Sequence, residues 1–163
     1  MRHSVDANLA GHDSHGIIQI PTYIDRMQVG HIVPGAPWQI VQESPATTVV
    51  DGFWGFGYVV SERAMQLTID KARTSNVAAT TVFRQGHIGR LASYSLMAAQ
   101  ANMIGLITAD SGRAAKQVAP FGGREARIAK YFLPAHAIQQ AGGEGRCFAA
   151  ATLAIEAKKR AKQ

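Results

Sequence analysis

A chain of 163 residues, 47% of them hydrophobic and 17% charged, is long enough for one domain with its own core, which excludes a disordered chain. No run approaches the roughly 18 apolar residues of a membrane helix, and the first residues lack the apolar block of a secretory leader, so a soluble cytoplasmic protein with no membrane partner is expected. The net charge of +6 is confined to the last third: residues 1–110 hold 7 Lys/Arg against 8 Asp/Glu, and residues 111–163 hold 10 against 3.

Taken in chain order, Val5 to Ala10 resemble the end of a helix. The stretch Ala7 to Tyr23, ANLAGHDSHGIIQIPTY, then concentrates two histidines, an acid, a serine and a tyrosine. Ile17, Ile20, Tyr23, Ile24 and Met27 have helical spacing, with Pro21 in the first turn and Gly30 at the end. If that helix runs on from the preceding turn, His15, Gln19 and Tyr23 at i, i+4 and i+8 share a face that could line a site. Alternatively His12 and His15 brace a helix end and Tyr23 packs. The H-D-x-H spacing matches no zinc pattern and the single Cys147 adds no ligand pair, so no metal is expected.

Pro34 and Pro37 mark a loop, after which Trp38 to Gln42 and Thr47 to Val50 read as a hairpin turning at Ser44 and Pro45. DGFWGFGYVV is a glycine-rich turn feeding a helix over Ser61 to Asn76. Its order, G-x-x-G-x-G, differs from the dinucleotide fingerprint G-x-G-x-x-G, so it either holds an anion or simply positions the helix. Val77 to Phe83 is a strand rich in β-branched residues, Leu91 to Asn102 a second helix, and Ile104 to Thr108 another strand. This βαβ order puts His87 in the loop after a strand's carboxyl end, where α/β sheets bind ligands. A histidine there either braces the loop or acts as a general acid or base. Asp110, Ser111 and Gly112 follow the next strand.

Three motifs in order, ANLAGHDSHG, GHIGRLASYS and VAPFGGREARI, with the spacer DGFWGFGYVVSERAM, resemble the malate/L-lactate dehydrogenase family, a non-Rossmann lineage that includes ureidoglycolate and sulfolactate dehydrogenases and cyclic imino-acid reductases. The likeness covers about Val5 to Ile128. It implies an α/β fold, a layered mixed sheet with helices, here an incomplete version of the sulfolactate dehydrogenase-like fold. It also implies an oxidoreductase that moves a hydride between NAD or NADP and a small 2-hydroxy or 2-oxo acid, in a homodimer. His87 matches the family's proton donor and acceptor, His15 the histidine of its SHG motif, and Tyr23 an aromatic hydroxyl facing the same pocket. Ser111 falls in a cofactor loop, and Phe121, Gly122 and Gly123 in the PFGG turn beside it.

Two departures qualify this expectation. Gln19 stands where the family has an arginine that grips the substrate carboxylate. Beyond REARI the family continues with G-T-N-P, whereas this chain turns into an alanine-rich basic tail, as a shift of reading frame near Ile128 would produce. The expected organisation is therefore a family-like fragment over 1–128 and a divergent tail over 129–163, helical or disordered, with Phe148 to Lys162 suited to a helix. The alternative to an enzyme is a catalytically inactive fragment serving as an interaction module. A nucleic-acid partner rests only on AKKRAK and is not expected.

Overall fold

The computed structural model describes residues 2–109 and 122–125, together with the backbones of two short strands at 135–137 and 152–156. Helix α1 (Arg2–Leu9) leads into two single 3-10 turns, Asp13–His15 and Ile17–Gln19, and then α2 (Ile20–Gln28). The histidine-rich stretch is thus not one helix: Gly16 is extended, with φ −92° and ψ −150°, and breaks it. Pro21 sits in the first turn of α2, where its missing N–H costs no helical bond.

Strands β1 (Gln39–Glu43) and β2 (Thr47–Gly55) form the expected antiparallel hairpin, with Ser44 Oγ accepting the Thr47 N–H at 2.9 Å in the turn. Helix α3 (Gly57–Ser75) starts four residues earlier than its periodicity suggests and stops at Asn76, whose φ of 65° is a left-handed cap. β3 (Val77–Gln85) then returns parallel to β2, α4 (Ala92–Gln100) follows, and β4 (Met103–Ile107) completes the βαβ order. Met65, Ile69 and Ala72 of α3 meet Ala78 of β3, Tyr94 and Ala98 of α4, and Met103 and Ile107 of β4 in one core. Within it the Thr68 hydroxyl lies 2.6 Å from Thr80 Oγ1 and 2.7 Å from the Ala64 carbonyl, tying α3 to β3.

β3 buries only alternate residues, Ala78 and Thr80, while Val77 and Phe83 are exposed, so the sheet is covered by α3 and α4 on one face among the described residues. Sheet order is β1-β2-β3-β6-β4-β5, with β5 (Ala135–Ala137) on the outer edge of β4. β6 (Thr152–Glu156) lies antiparallel between β3 and β4. The expected helix over Phe148 to Lys162 therefore fails at 152–156. Two flanking strands offer unpaired backbone groups there, and satisfying both ladders outweighs the helix propensity of the segment, which is worth only tenths of a kcal/mol per residue. The result is a layered mixed α/β sheet.

Candidate functional site

The loop that holds His15 is built by Asn8. Its side-chain oxygen accepts the Ile17 N–H at 2.8 Å, its amide donates to Asp13, and it fills the space where Gly16 would carry a Cβ. His15 is thereby held at the end of the first 3-10 turn with Ser14 Oγ 2.9 Å from its Nδ1. His12 meets it edge-on at 4.8 Å between ring centroids. Gln19 does not join the expected polar face; its amide donates to the Ser14 carbonyl at 2.8 Å and secures the same loop.

His87 arrives from the far side, in the loop between β3 and α4. That loop sits hard against the start of α3, where a Cβ on Gly57 would lie 2.4 Å from the carbonyl oxygens of Gly86 and His87. Gly89, with φ +69°, presses equally closely on the Tyr58 ring. The His15 and His87 rings stack at 5.5 Å with 28° between their planes.

Tyr23 joins the two histidines. It is only 3% exposed, and its Oη lies 2.9 Å from His87 Nδ1 and 2.9 Å from Tyr58 Oη. Tyr58 Oη in turn donates to the His15 carbonyl at 3.2 Å and accepts from Ser4 Oγ at 3.4 Å. Burial, reinforced by the neighbouring Tyr58 hydroxyl, pushes the Tyr23 phenol far above its ordinary range, so Tyr23 enters the array as a neutral O–H group. The three residues expected from the sequence, His15, Tyr23 and His87, do converge, although the first two do so across a backbone break rather than along one helix.

Tyr58 and Ser4 belong to the same array and were missed. The available signal for Tyr58 was its place directly after the glycine-rich turn, in the first turn of a helix at a strand's carboxyl end, where side chains face ligand clefts. Behind it His3 stacks on the Tyr58 ring at 5.6 Å and meets Glu62 at 3.0 Å. Burial works to raise the Glu62 carboxyl, but the His3 hydrogen bond and the charges of Arg2 and His3 outweigh it and hold the group below its usual value.

The glycine-rich turn itself shapes the end of β2. Two extra residues bulge between Asp51 and Gly55, with Phe53 and Trp54 at φ 47° and 60°. Asp51 Oδ1 accepts the Phe53 N–H at 3.0 Å and the Arg84 Nε–H at 2.9 Å, and the Arg84 guanidinium lies over the Phe53 ring at 4.8 Å. The Arg84 hydrogen bond holds the Asp51 carboxyl below the usual carboxylate range. Since the His87 loop is packed onto the start of α3, this turn positions the helix and offers no open cradle for a phosphate.

Two cavities flank the cluster. One, of about 140 Å³, lies against Tyr23 and is lined by Ser4, Ile20, Ile24, Met27 and Phe56. The other, of about 130 Å³, lies between α3, the carboxyl half of β3 and the end of β4, and is lined by Ser61, Thr80, Gln85, Ile88 and Thr108 among others. Of the remaining expected site residues, Ser111 and Phe121 lie outside the described residues, and Gly122 and Gly123 form an exposed turn with Gly122 at φ 77°. Among the described residues no three His, Cys, Asp or Glu side chains group as a metal site, and no helix is long and apolar enough to cross a membrane.

Comparison with known proteins agrees with this architecture. L-Sulfolactate dehydrogenase of Methanocaldococcus jannaschii is 42% identical over 121 residues, which are 74% of this chain and 34% of that protein. Hydroxycarboxylate dehydrogenase B of Escherichia coli is 38% identical over 126 residues, 77% of this chain and 35% of that protein. The solved structure of the M. jannaschii sulfolactate dehydrogenase superposes with a TM-score of 0.78 at 37% identity over 85% of this chain and 39% of that one. Malate dehydrogenase from Entamoeba histolytica superposes with a TM-score of 0.77 at 32% identity over 92% and 41%. The chain thus spans about a third of the length of the curated relatives it matches. With the sequence model for malate/L-lactate dehydrogenase matching residues 1–130, the chain belongs to the malate/L-lactate dehydrogenase family and corresponds to the N-terminal part of its fold.

Proposed function

We propose that this chain carries the proton-transfer half of an NAD(P)-dependent oxidoreductase site that interconverts a small 2-hydroxy acid and its 2-oxo acid. The convergence of His15, Tyr23 and His87 from three separate segments carries the reading. His87 is the residue that takes the hydroxyl proton as the alcohol is oxidised and returns it in reduction, because imidazole exchanges a proton near neutral pH. Tyr23 orients its ring, and His15, stacked beside it, forms the wall of the pocket. When bound, the nicotinamide supplies the hydride acceptor or donor.

The described residues suit the reacting end of such a cofactor and not its pyrophosphate, since the glycine-rich helix start is covered by the His87 loop. The pyrophosphate contacts are assigned to residues 110 onward, with Ser111, Phe121, Gly122 and Gly123 as the proposed cofactor contacts. Gln19 is turned to the Ser14 carbonyl, so a substrate carboxylate is held by other groups. We assign residues 1–128 to the family-like unit and 129–163 to a divergent tail. A cytoplasmic homodimer follows from the family resemblance, with exposed Leu9, Ile18 and Val29 as apolar surface available to a second copy; sedimentation over a range of concentrations tests the association.

The decisive experiment titrates the full chain into NADH and NADPH, follows cofactor fluorescence, and assays turnover with malate, lactate and sulfolactate in the oxidative direction. A fluorescence change together with turnover supports the reading. Absence of both replaces it with the second reading, a catalytically inactive interaction module.

A further inference from the structure

Most lysine and arginine side chains of the first 109 residues are already engaged. Arg2, Lys71, Arg73 and Arg84 pair with carboxylates, and Arg63 lies over the Trp38 ring. Arg26 follows Tyr23 by one turn of α2, and its charge acts on the Tyr23 phenol. Arg90 is different. It is half-buried, yet among the described residues its guanidinium has no acid, ring or hydrogen-bond acceptor. A guanidinium that gives up part of its hydration without gaining a counter-charge is a group available to an anion. The Ser93 N–H donates to the Arg90 carbonyl at 3.2 Å, which sets the two residues one turn apart at the start of α4, where residues three apart share a face. The Ser93 hydroxyl oxygen is hidden from solvent and has no hydrogen-bond partner among the described residues. Buried hydroxyls are nearly always partnered, so an orphan one turn from an unpaired guanidinium fits a ligand that accepts from both. A carboxylate does so, taking two parallel N–H bonds from the guanidinium and keeping lone pairs for the hydroxyl.

We infer that Arg90, assisted by the Ser93 hydroxyl, holds the carboxylate of the 2-hydroxy acid substrate. This is a role that Gln19, uncharged and turned to the Ser14 carbonyl, does not fill. The inference rests on the proposed function, which places the reacting hydroxyl of the substrate at His87. His87 and Arg90 belong to one loop and are separated by at most about 11 Å of chain. In a 2-hydroxy acid the carboxylate is bonded to the carbon that bears the hydroxyl, so a proton acceptor and an anion clamp have to lie this close together. The loop holds both in a fixed relation: Tyr94 Oη donates to the Ile88 carbonyl at 2.6 Å, and Gly89 is pressed against the Tyr58 ring. Because Arg90 makes no internal contact among the described residues, replacing it removes no interaction that holds the fold.

The test follows the Arg90 Nε–H signal in proton–nitrogen spectra of the full chain labelled with 15N-arginine, assigned by its loss in Arg90→Lys. L-Lactate, L-malate and the uncharged lactamide are titrated separately at constant ionic strength, each with and without added NADH. NADH and a 2-hydroxy acid are both in the reduced state, so no turnover disturbs the titration. A saturable shift of the Arg90 signal with either acid, absent with lactamide, is expected. Ser93→Ala is expected to weaken the apparent affinity about tenfold, as loss of a hydrogen bond to a charged group does, while Arg26→Gln leaves the Arg90 shift in place. No shift under any of these conditions overturns the inference, as does an equal shift with lactamide. An unchanged affinity in Ser93→Ala overturns the share given to that hydroxyl. Kinetics supply the second measurement: Arg90→Gln should raise KM for malate about tenfold or more with kcat near wild type, and an unchanged KM overturns the inference. Loss of NADH binding and turnover while lactate still shifts Arg90 removes the proposed function and leaves the clamp standing. Turnover with an unchanged KM in Arg90→Gln does the reverse.

Discussion

Tyr23 Oη lies 2.9 Å from His87 Nδ1 although 64 residues separate them, and this hydrogen bond ties α2 to the loop beyond β3. Tyr23→Phe keeps the edge-on contact with Phe56 at 5.2 Å but strips both Tyr58 and His87 of a partner. Losing one partner from a buried hydrogen-bonded group costs about 1–3 kcal/mol. Urea unfolding of the variant is expected to show a lower midpoint with an unchanged slope.

In the proposed reaction His87→Gln retains a polar side chain of similar reach but exchanges no proton near neutrality. General acid–base catalysis contributes about 10²–10⁴-fold. Turnover with the best 2-hydroxy acid should fall by that order while cofactor fluorescence titrations remain near wild type. A loss under threefold would assign the proton to another group.

Gly89 and Gly30 have nearly the same backbone, φ +69° and +71°, in different surroundings. An alanine at either incurs the left-handed penalty of about 1–2 kcal/mol. At Gly30 nothing lies within 4 Å, whereas at Gly89 the new Cβ would meet Tyr58 Cε1 at 2.1 Å. Gly89→Ala is therefore expected to lower the thermal midpoint well beyond Gly30→Ala and to disturb the Tyr58 array. Equal midpoints would mean that Tyr58 yields at no cost.

The Asp51–Arg84 pair gives the fold an acid-sensitive joint between β2 and β3. Because the folded Asp51 pKa is depressed, its contribution is complete above the unfolded value of about 3.9 and is lost as pH falls through the lower, folded value. Thermal midpoints of wild type and Asp51→Asn should differ at pH 7 and converge below about pH 4. A gap that persists or widens on acidification would contradict this.

The sequence by itself determined the local elements and the family. β-Branched runs made β2 and β3, helical spacing made α3, and Gly-flanked His87 stood recognisably after a strand, because each signal is carried by residues adjacent in the chain. It also named His15, Tyr23 and His87 through the order of three motifs. Only the tertiary structure decided how they meet. Gly16 breaks the helix that would have put His15, Gln19 and Tyr23 on one face, and Gln19 turns to the Ser14 carbonyl instead. Tyr58 and Ser4 enter the array through the packing of α3 and α1, a relation between distant segments that no local pattern encodes. The placement of β6 between β3 and β4 has the same cause: strand pairing satisfies backbone groups that lie far apart in sequence, and it overrode the helix propensity of 152–156.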